Sequence, residues 1–328
     1  MTDHRQGYPD PQGSGGADEP MFAGPLSFCR RPYGGDAAGA DVAVVGVPLD
    51  SSVSGRPGTR LGPRAIRAAS TNLSWARAWP SPFDPFERLR VIDWGDVALR
   101  TGHPTENPAR IEGAVGQIIG TGARALLLGG DHFIAYPSLR AHAARHGPLG
   151  LIQIDAHTDT WEGDRWEDAP GKTEAGAPRT LTDIDHGTMF YHAVHEGLID
   201  PDRSIQIGIR TTNDAPLGIE IRDAITVHDT PLRETIAAIR ARATGPCYLS
   251  FDIDGLDPAF APGTGTPVVG GLSTHQALSI LCGLAGLDIR GADVVEVSPP
   301  FDVAEITALA GATIALQILC LFAEAPPC

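Results

Sequence analysis

Three short segments carry aspartate and histidine at close spacing: Gly129-Gly130-Asp131-His132, Asp155-Ala156-His157-Thr158-Asp159 and Ser250-Phe251-Asp252-Ile253-Asp254. Carboxylates and imidazoles together ligate divalent cations such as manganese, cobalt, nickel or iron. Four carboxylates and two imidazoles exceed what one ion uses, whereas two ions about 3.5–4 Å apart can share bridging carboxylates. The set therefore reads as a binuclear metal centre whose candidate ligands are His132, Asp155, His157, Asp159, Asp252 and Asp254. Water held between two such ions has its pKa drawn down toward about 7, which makes it a nucleophile at neutral pH. Hydrolysis is the chemistry this predicts.

Each segment alone also has a plainer reading. Asp252 and Asp254 can cap a following turn or helix, and His132 can be an ordinary histidine at a helix start. Asp155, His157 and Asp159 are harder to read so, because three titratable groups gathered at one strand end repel or desolvate each other without a cation among them. Asp131 is expected to orient the neighbouring loop or a ligand rather than bind an ion.

The elements that must position these groups are legible as apolar runs. Residues 125–128, 149–154 and 247–251 read as buried strands, each ending at one of the segments. Residues i, i+2 and i+4 leaving a strand project to one side, and open parallel sheets bind ligands beyond the carboxyl ends of their strands. Further strands are expected at 41–46, 89–93, 204–209 and 293–297, and helices at 107–119, 133–145, 232–243 and 274–285. Strand-like and helix-like segments alternate from Asp41 to Ala323 with no linker or internal repeat. The expected fold is α/β, a three-layer α/β/α sandwich with a mainly parallel central sheet, built as one catalytic domain over residues 21–328. The Gly129-Gly130 turn is expected to let backbone pass close to the metal centre, with a helix starting just after His132. Neither G-x-G-x-x-G nor G-x-x-x-x-G-K occurs, so no nucleotide cradle is offered.

The first forty residues are rich in Gly, Pro, Asp and Ser and read as an arm, with residues 1–20 outside the catalytic domain. They lack the basic start and apolar stretch of a secretory signal, and the expected location is cytoplasmic. The five cysteines show no C-x-x-C spacing, which fits isolated reduced thiols. The apolar stretch 309–323 is shorter than the roughly 20 residues that span a bilayer, so no membrane contact is expected. Residues 307–321 read as a core helix, a subunit interface being the alternative. A net charge of −15 argues against nucleic acid, whose phosphates attract Lys and Arg, and suits a cationic substrate.

The chain resembles the ureohydrolases, the arginase and agmatinase group, and within it is most similar to the agmatinases. The resemblance runs from about Phe22 to Ala323. It passes through residues 55–63 (GRPGTRLGP), the three segments above, 185–191 (DHGTMFY), 257–267 (DPAFAPGTGTP) and Glu296-Val297-Ser298-Pro299. It implies an arginase-like fold with two manganese ions, one held by His132, Asp155, Asp159 and Asp252, the other by Asp155, His157, Asp252 and Asp254. It implies that Glu296 pairs with a guanidinium, a role that suits a carboxylate facing a planar fork; by its residue type alone Glu296 reads as a strand-end salt bridge. His186 takes the position of a general acid or proton shuttle, though alone it is a loop or cap histidine. Asp159 would also receive a proton from the nucleophile and pass it to the leaving amine. His192, His195 and His228 are read as structural.

The implied reaction is hydrolysis of a small guanidino substrate, agmatine giving putrescine and urea, with a guanidinobutyrase or another guanidino-acid hydrolase as the alternative. A metal-binding non-catalytic homologue would have lost a ligand, and a deacetylase of related fold would use one zinc and fewer carboxylates. The resemblance also implies a homo-oligomer, trimer or hexamer. One departure is Gly255, which follows Asp254 where agmatinases usually carry Cys, a change expected to touch no ligand. Between Thr160 and Asp185 lie seven acidic residues against three basic ones, a rim that favours a distal amine over a carboxylate, or simply a solvated surface loop.

Overall fold

Strands buried on both faces read as continuous apolar runs rather than alternating ones, and this chain forms eight strands. They are β1 (Val42–Val47), β2 (Val91–Asp96), β3 (Arg124–Gly129), β4 (Gly150–Ile154), β5 (Ile205–Ile209), β6 (Glu220–Asp223), β7 (Cys247–Asp252) and β8 (Ile289–Val295). The computed structural model describes residues 22–74, 77–162, 184–213 and 217–327. All strand pairings are parallel, in the order β2-β1-β3-β8-β7-β4-β5-β6. The last two strands thus enter the middle of the sheet, between β3 and β4.

Successive strand residues face opposite layers. Val42 and Val44 of β1 pack with helices α1 (Gly62–Ser70), α6 (Leu232–Arg242), α7 (Thr274–Cys282) and α8 (Ile306–Glu324). Ala43 and Val45 pack on the other face with α2 (Asn107–Gly120), α3 (Ala135–His146) and α4 (Met189–His195). A short helix α5 (Ala224–Asp229) follows β6 directly. This is the three-layer α/β/α sandwich the sequence predicts.

Several boundaries differ from the sequence reading for local reasons. The Leu89 N–H closes a turn onto Pro85 O, so β2 begins at Val91. The helix expected to reach 285 stops at Cys282, with Gly283 as its cap. β8 starts at Ile289 and ends at Val295, which leaves Glu296 beyond the strand. The edge strand β6 has no apolar run to announce it. The first forty residues are not all arm: Phe28 and Cys29 are buried, the Phe28 N–H donates to Asp93 Oδ2 at 2.7 Å, and Tyr33 bridges to Asp93. Residues 1–20 lie outside the described residues. Cys29, Cys247, Cys282 and Cys320 are free thiols.

Helix α8 spans 19 residues, longer than the apolar stretch read from sequence, and by length and composition it could cross a bilayer. Its apolar character has another cause here. Ile314, Leu316, Ile318, Leu319, Leu321 and Phe322 are buried in the core, which is why the helix is apolar nearly all round.

Candidate metal centre

Four adjacent strands deliver the predicted groups to one end of the sheet. Asp131 and His132 come just after β3, Glu296 follows β8, Asp252 closes β7 and Asp155 follows β4. With strands about 4.8 Å apart, side chains from all four ends meet in one space.

Strand alternation is not what gathers them within each segment. β4 stops at Ile154, and the chain turns so that the His157 N–H donates to Asp155 Oδ1 at 2.7 Å. Asp252 ends β7 and its Oδ1 accepts the Asp254 N–H at 2.8 Å, opening a tight turn over Ile253–Gly255. The Ala156 N–H donates to Asp254 Oδ1 at 3.1 Å, tying the two turns together. The capping reading of Asp252 therefore holds together with its place in the cluster.

Two imidazole nitrogens each face carboxylates. His132 Nδ1 lies 2.8 Å from Asp159 Oδ2, 3.2 Å from Asp155 Oδ2 and 3.3 Å from Asp252 Oδ2. His157 Nδ1 lies 3.1 Å from Asp254 Oδ2 and 3.5 Å from Asp155 Oδ1. Asp155 thus turns one oxygen to each imidazole. His132, Asp155 and Asp252 form one group able to hold an ion, and Asp155, His157 and Asp254 another.

The electrostatics are those of a buried acidic pocket in which neighbouring carboxylates and imidazoles shift one another. Burial, then Asp254 and Asp155, push the Asp252 carboxyl well above its usual range. Burial and Asp155 push Asp159 up to about 6. Burial works against the Asp155 carboxylate too, but His132 and His157 hold it far below normal. Burial likewise opposes charge on His157, yet Asp155 and Asp254 drive it up to about 12. His132 Nε2 lies 2.7 Å from Ser250 Oγ, while its Nδ1 has no properly directed hydrogen bond despite three carboxylates within reach. Four carboxylates and two imidazoles gathered in a buried space leave an excess of negative charge that a divalent ion offsets, and two groups of them can each converge on one point, so these residues fit a divalent ion.

Backbone strain falls on two of the predicted catalytic residues. Asp159 has φ 51° and Glu296 φ 63°, in the left-handed region; Asp tolerates it better than most residues, whereas a long side chain such as Glu296 is seldom found there. Glu296 is buried, and its Oε1 accepts the His132 N–H at 2.7 Å and lies 3.0 Å from His186 Nδ1. Its Oε2 is buried without a partner. His186 Nε2 is 2.8 Å from Ser54 Oγ and accepts the Ser54 N–H at 2.9 Å. Burial opposes charge on His186, and Glu296 outweighs it, pushing the imidazole up to about 9.

Part of this cluster opens onto a cavity of about 450 Å³, lined by His157, Asp159, His186 and Asp252 near the cluster and by Trp161, Glu162 and Asp185 further out. That volume is in the range of small-molecule sites. Most of the acidic loop, residues 163–183, lies outside the described residues.

Other expectations meet mixed outcomes. Asp131 is buried, and its Oδ2 accepts the Ser52 N–H at 2.9 Å, so it does orient a neighbouring loop. The Gly130 backbone presses not on the metal cluster but on the loop after β1: a Cβ there would lie 2.3 Å from Leu49 O. Gly255 abuts a candidate ligand after all, since a Cβ would lie 2.9 Å from Asp155 N. His195 Nδ1 bonds its own helix at Tyr191 O, and His228 bonds Gly271 O, both away from the cluster.

The sequence reading missed several supporting groups. Gln153 Nε2 donates to Asp155 Oδ2 at 2.7 Å, Thr266 Oγ donates to Asp254 Oδ2 at 3.1 Å, and Arg210 spans the carbonyls of Gly208, Asp254 and Val268. The available signal was a polar residue inside an apolar strand, such as Gln153, because a buried polar group needs a partner.

A profile of the Arginase family matches residues 40–321. An agmatinase of Chromobacterium violaceum is 50% identical over 310 residues, covering 94% of this chain and 91% of that protein. The crystal structure of a hypothetical agmatinase from Burkholderia thailandensis superposes with a TM-score of 0.86 at 50% identity, covering 93% of each chain. Proclavaminate amidino hydrolase from Streptomyces clavuligerus superposes with a TM-score of 0.85 at 34% identity, covering 93% of this chain and 99% of that one.

Proposed function

The chain belongs to the arginase family, and on that premise we propose that it hydrolyses agmatine to putrescine and urea at a centre of two manganese ions. The observation that carries the proposal is the pair of imidazole nitrogens, His132 Nδ1 and His157 Nδ1, facing opposite oxygens of Asp155. His132, Asp155, Asp159 and Asp252 would hold one ion, and Asp155, His157, Asp252 and Asp254 the other. When bound, the ions supply Lewis acidity and a water acidic enough to react near neutral pH.

The protein's own residues do the rest. Guanidinium is planar and charged, so its carbon resists attack unless it is held in line. Glu296 Oε2, buried and unpartnered, is the acceptor for one edge of that fork. Attack by water forms a C–O bond, and the C–N bond to the alkyl chain breaks. Both protons of the water end on the departing nitrogen. Asp159 lines the cavity and carries one, and His186, already hydrogen-bonded to Glu296 and Ser54, exchanges the other with the site. Glu162 and Asp185 on the outer wall favour the free amine of agmatine over a carboxylate. The 50% identity to agmatinases over nearly the full chain supports the same substrate.

The test is urea release from agmatine, arginine, 4-guanidinobutyrate and 3-guanidinopropionate after loading with manganese. Agmatine is expected to turn over with by far the highest kcat/KM. Equal rates on all four, preference for a guanidino acid, or no turnover would overturn the assignment.

A further inference from the structure

Two segments of distinctive sequence, residues 55–63 (GRPGTRLGP) and 257–267 (DPAFAPGTGTP), supply none of the ligand or catalytic groups, yet they meet beside Glu296. Gly265 is buried, and its φ lies outside the left-handed region that calls for glycine. Its backbone would accept a side chain, so what is missing there is space. A Cβ would stand 3.0 Å from Arg56 O and 3.6 Å from Glu296 Oε2, the buried oxygen with no partner of its own. Arg56 ties the two segments together. Its Nε donates to Gly265 O at 3.2 Å and a terminal nitrogen to Thr264 O at 3.0 Å, and the guanidinium lies 4.3 Å from the centre of the Phe301 ring.

We propose that Gly265 is a specificity-determining residue, whose missing side chain leaves room at Glu296 Oε2 for a planar guanidinium, and that Arg56 is the positioning residue that keeps Gly265 in place. The inference rests on the reading of Glu296 as the guanidinium acceptor. An N–H of a charged fork approaches a carboxylate oxygen to about 2.7–2.9 Å. A methyl against the same oxygen at 3.6 Å takes part of the space such a nitrogen needs, and Arg56 O, only 3.0 Å from it, leaves it little room to withdraw. Glycine is the residue that lets backbone stand close to a bound group. A flat ion with donors along its edges is the shape that fits between Glu296 and bare backbone.

Arg56 acts at one remove, through the carbonyls of Thr264 and Gly265. Nearby residues of the same two stretches of chain do touch the site: Ser54 contacts His186, and Thr266 donates to Asp254 Oδ2. Loosening Arg56 should therefore shift the wall beside Glu296 without removing any group that binds or reacts. The outer end of the cavity, at Trp161, Glu162 and Asp185, is built from other segments, so the distal end of a substrate should not sense Gly265.

The experiment measures inhibition of urea release from agmatine by two probes: n-butylguanidine, which has the guanidinium and no distal amine, and putrescine, which has amines and no guanidinium. The proteins are wild type, Gly265→Ala, Arg56→Lys, Arg56→Met and Glu296→Gln, each loaded with manganese, with metal content and melting measured in parallel. Gly265→Ala should weaken butylguanidine about 10–100-fold, the contribution of a hydrogen bond to a charged group, and putrescine less than about threefold, at wild-type metal content and melting. Arg56→Met should weaken butylguanidine about two- to tenfold. Arg56→Lys can keep one of the two bonds and should weaken it less; these two variants carry the test should Gly265→Ala fail to fold. Wild-type butylguanidine inhibition in the folded variants, equal weakening of both probes, or losses that track lost manganese would overturn the role of Gly265. Wild-type inhibition in Glu296→Gln would instead overturn Glu296 as the guanidinium acceptor. A wild type inert toward agmatine but active on another guanidino compound would overturn the substrate alone, the same probes then being read against that compound.

Discussion

Replacing Glu296 by Gln tests the guanidinium-binding role, because the amide keeps the shape while removing the charge, which also releases the hold of Glu296 on the His186 imidazole. Oε1 holds the two contacts that belong to the protein, from the His132 N–H and His186 Nδ1. A Gln oxygen can keep both, so the folded state should lose no more than about 1 kcal/mol, the worth of one ordinary hydrogen bond. The amide nitrogen then stands where Oε2 stood, pointing donors at a cationic fork. A hydrogen bond to a charged group contributes about 1.5–3 kcal/mol, and an unpaired buried donor adds to the loss. A total near 3 kcal/mol corresponds to roughly 10²-fold in kcat/KM. The assay is steady-state urea release from agmatine with manganese content measured in parallel. A kcat/KM within about threefold of wild type at equal metal content would refute the assignment of Glu296 to the guanidinium.

Three further outcomes can be checked on the same protein. Asp252→Ala should abolish nearly all turnover and lower the manganese stoichiometry, while the metal-free protein melts at the same temperature or higher, since one of several mutually repelling buried carboxylates is gone; unimpaired turnover would contradict its role. Arg67 donates to both oxygens of the fully buried Asp93 at 2.8 and 2.9 Å, so Arg67→Met should lower stability in urea denaturation by about 3–5 kcal/mol, the cost of stranding a buried charge; a loss below about 1 kcal/mol would show that the pair contributes little. Burial pushes the His142 imidazole down from 6.5 to about 4, so below pH 6.5 the unfolded chain binds a proton that the folded one refuses. Stability should fall as pH drops through that window, by about 3 kcal/mol from this group at pH 4, and urea titrations of His142→Gln should show a shallower pH slope than wild type.

How far the sequence could be read depended on whether a residue's role was local. The strands at 125–128, 149–154 and 247–251 were visible because a buried parallel strand is apolar on both faces. β6, with Glu220 and Arg222 at a sheet edge, carried no such mark. His132, Asp155, His157, Asp159, Asp252 and Asp254 were legible as a set because of their spacing, although tight turns and not strand alternation bring them together. Ser54 was not legible. It acts across 132 residues of chain, and only the sheet order puts it beside its partner. The packing of Phe28 against Asp93 was hidden for the same reason, since nothing in a Gly- and Pro-rich stretch announces a contact 65 residues away.

The sheet order also fixes when the catalytic pocket can exist. β3 and β4 are separated by two positions that only β7 and β8 fill, so His132 and Asp155 have no completed framework until the final third of the polypeptide threads between them. A growing chain on the ribosome can have made four of its six candidate ligands before β7 and β8 exist to bring β3 and β4 into one sheet. A product ending before residue 289 would carry all six candidate ligands in its sequence yet lack β8, the strand that joins β3 to β7.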